Sequence, residues 1–377
     1  MEQTVITSKD NYRELENWLS AFSGGSVLAV HDDSLGFMPA FGARLKEIAK
    51  HSGVSLVYFN GFKPNPLYES VVRGVELFRR ENCRAIMAVG GGSAIDVAKC
   101  IKLYCTMPGD GADGSWLKAE AVKNGIGLLA MPTTAGTGSE ATRYAVIYYN
   151  NAKQSITSET FIPATVLMDP AALKTLPPYQ RKATMMDAFC HAVESFWSVN
   201  STDESKKYSS AAIRGVLENM DGYLANTDEG NAGMLLAANT AGKAINITQT
   251  TAGHAMCYKI TGLFGCAHGH AAALCDRVLY AWMADNTANC RDPRGEAYLK
   301  SVLDEIARAL GCDNAKSGAR RFEEIFEGLR LDVPAANKEQ LEILKNSVNP
   351  DRLKNHPVKL DADTIEILYR KILRGEE

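Results

Sequence analysis

Short apolar runs alternate with amphipathic helical stretches through the first half of the chain. SVLAVHDD, SLVYFN, AIMAVGGG and the start of GIGLLAMPTTAGTGSE have the length and composition of strands. PAFGARLKEIAKHSG, YESVVRGVELFRREN and AIDVAKCIKLYC lie between them and repeat apolar residues with helical spacing. This alternation predicts βαβ units around a parallel sheet, followed by a hairpin over YAVIYYNNAKQSIT and a last strand at ATVLMDP.

Helical periodicity replaces the strand patterns after about residue 178, just past the sequence LPP. The predicted helices of this half cover residues 180–199, 204–225, 230–252, 269–286, 296–310, 318–329, 337–347 and 361–373. We therefore predict an α/β protein with a parallel-sheet domain over residues 1–178 and an all-helical domain over residues 179–377. No long linker joins them, so a ligand is expected in a cleft between the two domains.

The composition narrows the classes of partner. The chain has 377 residues, 46% hydrophobic content and a formal net charge of -3, and it contains no block of five basic residues. These features argue against nucleic acid or an anionic membrane and favour a small molecule. No signal peptide and no apolar run of 18 residues are found, which predicts a soluble, cytoplasmic protein. Nine scattered cysteines without a CxxC pair indicate neither a disulfide framework nor a zinc ribbon.

A glycine-rich loop follows the predicted strand AIMAV. Three glycines, Gly90, Gly91 and Gly92, lead into a helix whose first turns hold Ser93 and Asp96. Glycines let a phosphate approach the backbone closely, and a helix N-terminus offers unpaired N–H groups. The loop is therefore a candidate pyrophosphate cradle, although its spacing is not GxGxxG. The alternative is a tight turn in which Ser93 and Asp96 only cap the helix.

A second polar loop follows the next strand, in MPTTAGTGSE. It offers hydroxyl and small side chains at Thr133, Thr134, Thr137, Gly138 and Ser139. Such a loop can bind a ribose or a nicotinamide by hydrogen bonds, or it is a plain turn. Ligands of open α/β sheets lie at the carboxyl ends of strands, so two such loops in succession favour a dinucleotide.

An aspartate and a histidine share one face of a predicted helix in DAFCHAVE. Asp187 and His191 are four residues apart, and Glu194 falls near the same stripe. Three more histidines follow in the segment 254–270: His254, His268 and His270. A lone histidine is usually a core residue, but a carboxylate with several imidazoles is a ligand set for Zn²⁺ or Fe²⁺. A metal opposite a dinucleotide would polarise an alcohol or carbonyl oxygen during hydride transfer.

Four motifs together, GGGSAIDVAK, PTTAGTGSE, DAFCHAVE and HAMCYKITGLFGCAHG, resemble the iron-dependent (group III) alcohol dehydrogenases. The resemblance implies a Rossmann-like N-terminal domain and a helical C-terminal domain, the fold shared with dehydroquinate synthase. It also implies NAD(P), a divalent metal in the cleft and an assembly of at least two chains. Carried over by position, the implied metal ligands are Asp187, His191, His254 and His268, the last two fourteen residues apart.

The resemblance also implies a set of cofactor contacts. They are Gly91, Gly92, Ser93 and Asp96 at the pyrophosphate, then Thr133, Thr134, Thr137 and Ser139 along the dinucleotide, with Asn65 and Lys153 as further contacts. Asp32 stands where the family has an acid near the adenosine ribose, and a carboxylate there favours NAD over NADP. Asp33 is adjacent, and a solvated turn aspartate is the alternative, so NADP stays possible.

The chain departs from the family at three positions near the metal motif. Tyr258 stands where many members have a histidine, and its hydroxyl could donate a proton to the substrate or simply pack in the cleft. Lys259 and His270 add basic side chains, and Arg143 is a second candidate contact for an anion. With these features the segment is most similar to the branch of the family that reduces phosphonoacetaldehyde.

The expected function is therefore a metal-dependent, NAD(P)H-linked reduction of a small, anionic aldehyde to a primary alcohol. Phosphonoacetaldehyde, which gives 2-hydroxyethylphosphonate, is the leading substrate, and a general short-chain alcohol dehydrogenase is the nearest alternative. A lyase or cyclase resembling dehydroquinate synthase is a further alternative, although lyase relatives usually present a glutamate where this chain has Asp187. A scaffold protein that keeps the fold is disfavoured by the intact ligand set.

Overall fold

A computed structural model describes residues 3–8, 11–120 and 122–375. The chain separates into two units, Met1–Leu176 and Pro177–Glu377.

The first unit is built on a six-stranded parallel sheet in the order β1-β8-β5-β4-β2-β3. Its strands are β1 Thr4–Thr7, β2 Ser26–His31, β3 Ser55–Phe59, β4 Cys83–Gly90, β5 Gly127–Pro132, β6 Tyr144–Tyr149, β7 Ala152–Thr157 and β8 Thr165–Met168. Its helices are α1 Arg13–Ser20, α2 Pro39–His51, α3 Tyr68–Arg80 and α4 Gly92–Tyr104. Strands β6 and β7 form the predicted antiparallel hairpin, and Asn150 and Asn151 at its turn both have positive φ, as a type I′ turn requires.

Strand β4 shows why this sheet is buried on both faces. Ile86 and Ala88 pack into one hydrophobic core, whereas Ala85, Met87 and Val89 pack into the other. Successive side chains of a strand point to opposite faces, so an almost continuous apolar run is what a central parallel strand needs. In the register between β4 and β5, Gly90 lies beside Pro132. The glycine-rich loop and the threonine-rich loop therefore leave the sheet at the same edge.

The described residues of the second unit are mostly helical, and they include one short parallel pair of strands, β9 Ala335–Ala336 and β10 Arg374–Gly375. Its helices are α5 Pro178–Trp197, α6 Asp203–Leu224, α7 Asp228–Thr248, α8 Ala252–Phe264, α9 His268–Asp285, α10 Glu296–Ala309, α11 Ala315–Gly328, α12 Lys338–Ser347, α13 Pro350–Leu353 and α14 Ala362–Ile372. Helix α5 packs against α6, α7 and α9, and nearly all of its second half is buried. Among the described residues, no helix combines the length and the apolar character that a bilayer span needs.

The predicted fold class is confirmed: a parallel-sheet unit is followed by a helical one. Eight predicted helices of the second half are present with shifted ends, and α8 and α13 were not predicted. The prediction of one helix over 230–252 was wrong at its end, because Gln249 adopts φ 60° and the chain turns before α8 begins. Strand β1 and helix α1 were also not predicted.

Candidate metal centre and cofactor loops

Helix α5 carries three buried polar side chains on one stripe. Asp187, His191 and Glu194 are 3%, 6% and 0% exposed. A charged or polar group at such depth is costly unless it has polar partners. Each of the three therefore needs partners, and α8 and α9 supply the histidines.

Three of the four predicted ligands, His191, His254 and His268, converge on one carboxylate oxygen of the fourth, Asp187. Asp187 Oδ1 lies 3.4 Å from His254 Nε2, 3.9 Å from His268 Nε2 and 4.0 Å from His191 Nε2. The rings of His191 and His254 stack with centroids 4.5 Å apart. Ligand atoms of Asp187, His254 and His268 all lie within 4.8 Å of one another. Three imidazole nitrogens and a carboxylate at this separation suit a divalent ion such as Fe²⁺ or Zn²⁺.

Glu194 fixes the orientation of His254. Its Oε1 accepts hydrogen bonds from the backbone N–H of His254 at 2.8 Å and from His254 Nδ1 at 2.5 Å. Its Oε2 accepts from the backbone N–H and the hydroxyl of Thr251, the latter at 2.7 Å. Burial opposes ionisation, but His254 and these donors lower the pKa of Glu194 to about 2. An ionised Glu194 holds the proton on His254 Nδ1 and leaves Nε2 as the ligand atom.

The charge of Asp187 is stabilised in the same way. Burial alone would raise the pKa of Asp187, but the positive field of His191 and the hydrogen bond from His254 bring it below its ordinary value. The carboxylate is therefore ionised, which is the form that binds a cation.

Two glycines allow the ligand-bearing helices to come this close. A Cβ atom on Gly253 would lie 1.8 Å from Asp276 Oδ1, and one on Gly269 would lie 2.1 Å from the backbone oxygen of Ala183. The first glycine precedes His254 and the second follows His268. Asp276 is itself fully buried, and burial together with the charge of Glu194 raises its pKa well above the ordinary value. It is a neighbour of the centre that the sequence did not reveal.

The exposed side of the cluster is formed by His268 and Tyr258. The side chain of His268 is 39% exposed, whereas those of Asp187 and His254 are 4% and 2% exposed. The ring of Tyr258 stacks on His268 with centroids 5.4 Å apart. Burial raises the pKa of Tyr258 despite the positive charge of Arg352, so the phenol keeps its proton at neutral pH.

The basic residues Lys259 and Arg143, predicted from the sequence, each have acidic neighbours. Lys259 is exposed and shares a surface groove with Glu339 and Glu342 of α12. Arg143 is ion-paired with Glu159 at 2.7 Å and contacts the hydroxyl of Tyr144 at 3.2 Å. Arg352, which the sequence did not single out, is the cation that contacts Tyr258.

The interpretation of His270 as a cation near the metal is wrong. His270 is 2% exposed, and its Nε2 donates to the backbone oxygen of Asp332 at 2.8 Å. Its Nδ1 faces the hydroxyl of Tyr179 at 3.0 Å, and that oxygen accepts the backbone N–H of Ala267 at 2.8 Å. Burial lowers the pKa of His270, which favours the neutral ring. The chain of bonds holds the start of α9, where His268 stands.

The glycine-rich loop is tied to the end of β2. Asp32 Oδ2 accepts the backbone N–H of Gly91 at 2.9 Å, and its Oδ1 accepts the backbone N–H of Ser34 at 3.0 Å. A Cβ atom on Gly90 would lie 2.5 Å from Asp32 Oδ2. No side chain in the described part of the chain caps the N-terminus of α4, so Ser93 does not act as a cap there. The first turn of α4 is left open to an anion.

Asp96 joins α4 to the threonine-rich loop and the hairpin. Its carboxylate accepts the hydroxyl of Ser139 at 2.6 Å and the backbone N–H of Val146 at 2.9 Å. Burial raises the pKa of Asp96, although Lys99 and Lys153 oppose the shift. Both carboxylate oxygens are thus engaged within the unit, which gives Asp96 a role in holding the loops together.

Lys99 of α4 holds the end of the threonine-rich loop through hydrogen bonds to its backbone. Its buried ammonium donates to the backbone oxygens of Ser139, Thr142 and Tyr144 at 2.6, 2.8 and 2.7 Å. Burial lowers the pKa of Lys99 to about 8. The sequence shows this lysine at the end of GGGSAIDVAK, but only the fold shows that it points into the loop.

Three threonines among the cofactor candidates lie beside the glycines, and Asn65 lies near the hairpin. Thr133 donates its backbone N–H to the backbone oxygen of Gly90 at 3.1 Å. A Cβ atom built on Gly91 would lie 3.6 Å from the side chain of Thr134, and one built on Gly92 would lie 3.0 Å from that of Thr137. Asn65 is exposed and has φ 58°, just before Pro66, whose backbone oxygen bonds Tyr148 of the hairpin.

The chain matches two family models. Residues 2–170 match iron-containing alcohol dehydrogenase, and residues 182–373 match the Fe-containing alcohol dehydrogenase family, C-terminal. Members of this family are oxidoreductases that act on alcohols or aldehydes with NAD(P) and iron.

Individual relatives agree with the family match. Alcohol dehydrogenase 4 of Schizosaccharomyces pombe is 32% identical over 345 residues, which cover 88% of this chain and 78% of that protein. Phosphonoacetaldehyde reductase of Streptomyces viridochromogenes is 29% identical over 328 residues, which cover 82% of this chain and 81% of that protein. The crystal structure of sulfoacetaldehyde reductase from Bifidobacterium kashiwanohense in complex with NAD+ has the same fold, with TM-score 0.86 and 24% identity over 99% of this chain and 97% of that one. The chain belongs to the iron-containing alcohol dehydrogenase family.

Proposed function

We propose that this protein reduces a small anionic aldehyde to a primary alcohol, and that phosphonoacetaldehyde is its substrate. The aldehyde carbon takes a hydride from NAD(P)H and the oxygen takes a proton, so the products are 2-hydroxyethylphosphonate and NAD(P)+. The observation that carries the reaction type is the convergence of three histidine nitrogens on Asp187 Oδ1, within 3.4 to 4.0 Å.

The proposed metal ligands are Asp187, His191, His254 and His268. Their donor set fits Fe²⁺ or Zn²⁺, and such an ion supplies Lewis-acid polarisation of a carbonyl when it is bound. Glu194 keeps His254 in the tautomer that presents Nε2. Tyr258 retains its phenolic proton and lies on the exposed side of the cluster, so we assign it the donation of the proton to the product oxygen.

The proposed cofactor contacts lie around the first turn of α4. Gly91, Gly92 and Ser93 would bind the pyrophosphate through the helix N-terminus, while the threonine-rich loop and Lys153 would border the rest of the dinucleotide. Asp32 lies at the glycine-rich loop, and a carboxylate there repels a 2′-phosphate, which supports NAD over NADP. Asn65 stays a peripheral contact in this proposal, and Asp96 supports the loop that carries Ser139.

The anionic substrate is supported by two independent points. One relative that covers 82% of this chain is a phosphonoacetaldehyde reductase. In addition, a guanidinium, that of Arg352, lies beside Tyr258. Lys259 and Arg143, the contacts predicted from the sequence, are less suitable because one is exposed beside α12 and the other is ion-paired.

Purified, iron-loaded protein would be mixed with NADH or NADPH and with phosphonoacetaldehyde, acetaldehyde or glycolaldehyde, while the nicotinamide absorbance is followed. A kcat/KM for phosphonoacetaldehyde at least tenfold above that for the neutral aldehydes supports the proposal. Equal values would leave a general short-chain alcohol dehydrogenase, and no oxidation with any aldehyde would contradict the reaction. Location in the cytoplasm and assembly as a homodimer or larger oligomer stay predictions from the sequence.

A further inference from the structure

The guanidinium of Arg352 lies one aromatic ring away from a proposed metal ligand. Arg352 Nη1 is 3.4 Å from the hydroxyl of Tyr258, and its central carbon is 5.3 Å from the centroid of that ring. The ring of Tyr258 in turn stacks on His268 at an interplanar angle of 23°. The short helix α13 thus brings a permanent positive charge to the side of the cluster where His268 is exposed.

This charge has no carboxylate partner. Among residues 3–8, 11–120 and 122–375, no acidic side chain lies within 4.0 Å of the Arg352 guanidinium, and the long contact to Tyr258 is the only hydrogen bond of its side chain. The neighbouring Asp351 is ion-paired with Lys354 at 2.6 Å. Arg352 is nevertheless half-buried. A half-buried guanidinium has five N–H donors, and a single long contact to a hydroxyl leaves most of them available to a ligand that supplies acceptors.

The accessible face of the cluster places a substrate next to this group. Asp187, His191 and His254 have side chains at most 7% exposed, whereas His268 is 39% exposed. A small molecule therefore reaches the cluster past His268 and Tyr258. In phosphonoacetaldehyde a single methylene separates the carbonyl from the phosphonate, so both ends of the molecule must find partners within a few ångströms.

We infer that Arg352 is the specificity-determining residue that binds the anionic group of the aldehyde. This inference rests on the proposed function and names the contact that the proposed function requires. A guanidinium presents two parallel N–H groups to a tetrahedral oxyanion, which gives both affinity and orientation. The phosphonate bound there leaves the carbonyl end of the substrate directed toward Tyr258 and the exposed His268.

The test compares Arg352→Met and Arg352→Lys with the unaltered iron-loaded protein. The ratio of kcat/KM for phosphonoacetaldehyde to that for acetaldehyde is measured, with sulfoacetaldehyde as a second, singly charged anion. We expect Arg352→Met to lower the phosphonoacetaldehyde-to-acetaldehyde ratio by roughly 10- to 100-fold, because charge-assisted hydrogen bonds to the anion are lost. We expect KM for phosphonoacetaldehyde to rise while kcat stays unchanged, because the contact exists both before and during hydride transfer. Arg352→Lys should recover part of the ratio through its charge.

Lys259→Met is the matched control, since it removes a cation one residue from Tyr258 on the exposed face of α8. If Lys259→Met lowers the ratio and Arg352→Met does not, the inference is overturned and the anion binds at Lys259. If both variants retain the preference of the unaltered protein, Arg352 is not the contact, although the proposed function stands. If the unaltered protein shows no preference for either anion, the proposed function fails and the inference fails with it.

Discussion

Replacing Glu194 by glutamine tests whether a buried carboxylate holds the metal centre in shape. Glu194 accepts four hydrogen bonds, two from Thr251 and two from His254. A glutamine oxygen can keep two of these donors, but its amide nitrogen would face the other two. Losing two hydrogen bonds to a charged acceptor should lower the free energy of unfolding by roughly 3 kcal/mol. The imidazole of His254 would then be less firmly oriented. We therefore expect the affinity for the metal to fall by roughly 10- to 100-fold, as it does when other hydrogen-bond partners of metal-bound histidines are removed.

Two measurements separate these effects. Urea unfolding of the metal-free protein, followed by tryptophan fluorescence, reports stability, because Trp197 donates to Thr251 at 2.8 Å within the same network. Competition with a chromogenic chelator reports the affinity for Fe²⁺ or Zn²⁺. Glu218→Gln on the exposed face of α6 removes the same charge far from any network and is the control. Metal affinity equal to that of Glu218→Gln would refute the role given to Glu194.

Three further substitutions have defined outcomes. Tyr258→Phe should reduce kcat for the aldehyde by at least about tenfold with unchanged metal content, since it removes a proton donor; an unchanged kcat would assign the proton to another group. Tyr179→Phe removes the acceptor for Ala267 at the start of α9 and should weaken metal binding by roughly tenfold in the chelator competition; equal affinity would show that His268 needs no such support. Burial lowers the pKa of His356 to about 3 from an ordinary value of 6.5. Between these values the unfolded chain binds a proton that the folded chain excludes, so stability falls as the pH drops from 6.5 to 3. His356→Phe should flatten this slope in urea titrations at several pH values, and an unaltered slope would contradict the assignment.

The order of strands and helices could be predicted wherever the local hydrophobic pattern matches the burial that the folded protein imposes. The apolar run of β4 and the helical spacing of α3 and α4 follow from burial on both faces of a sheet. Helix α8 was missed because no glycine or proline marks the break after Thr248; Gln249 turns the chain instead. Strand β1 was missed because four residues at a sheet edge carry too little pattern, and it is fixed by pairing with β8, far away in sequence.

Part of the proposed ligand set follows from local spacing, and the rest was implied by the family resemblance, because His254 is 67 positions from Asp187. Asp187 and His191 share a helical face, and His254 and His268 stand near the starts of two successive helices. Arg352 was not predictable, since it meets Tyr258 across 94 positions of sequence. Lys259 follows Tyr258 directly, but consecutive helix residues differ in direction by about 100°, so its side chain faces α12.

The most direct test of the account is a metal titration of chelator-treated protein in the presence of NADH and phosphonoacetaldehyde. We predict no oxidation of NADH without metal, and activity that rises with Fe²⁺ to a plateau at one ion per chain. The same titration of Asp187→Asn should show little activity and weak binding. Oxidation of NADH at the full rate in the metal-free protein would contradict the central claim, as would a metal-saturated protein that leaves NADH untouched.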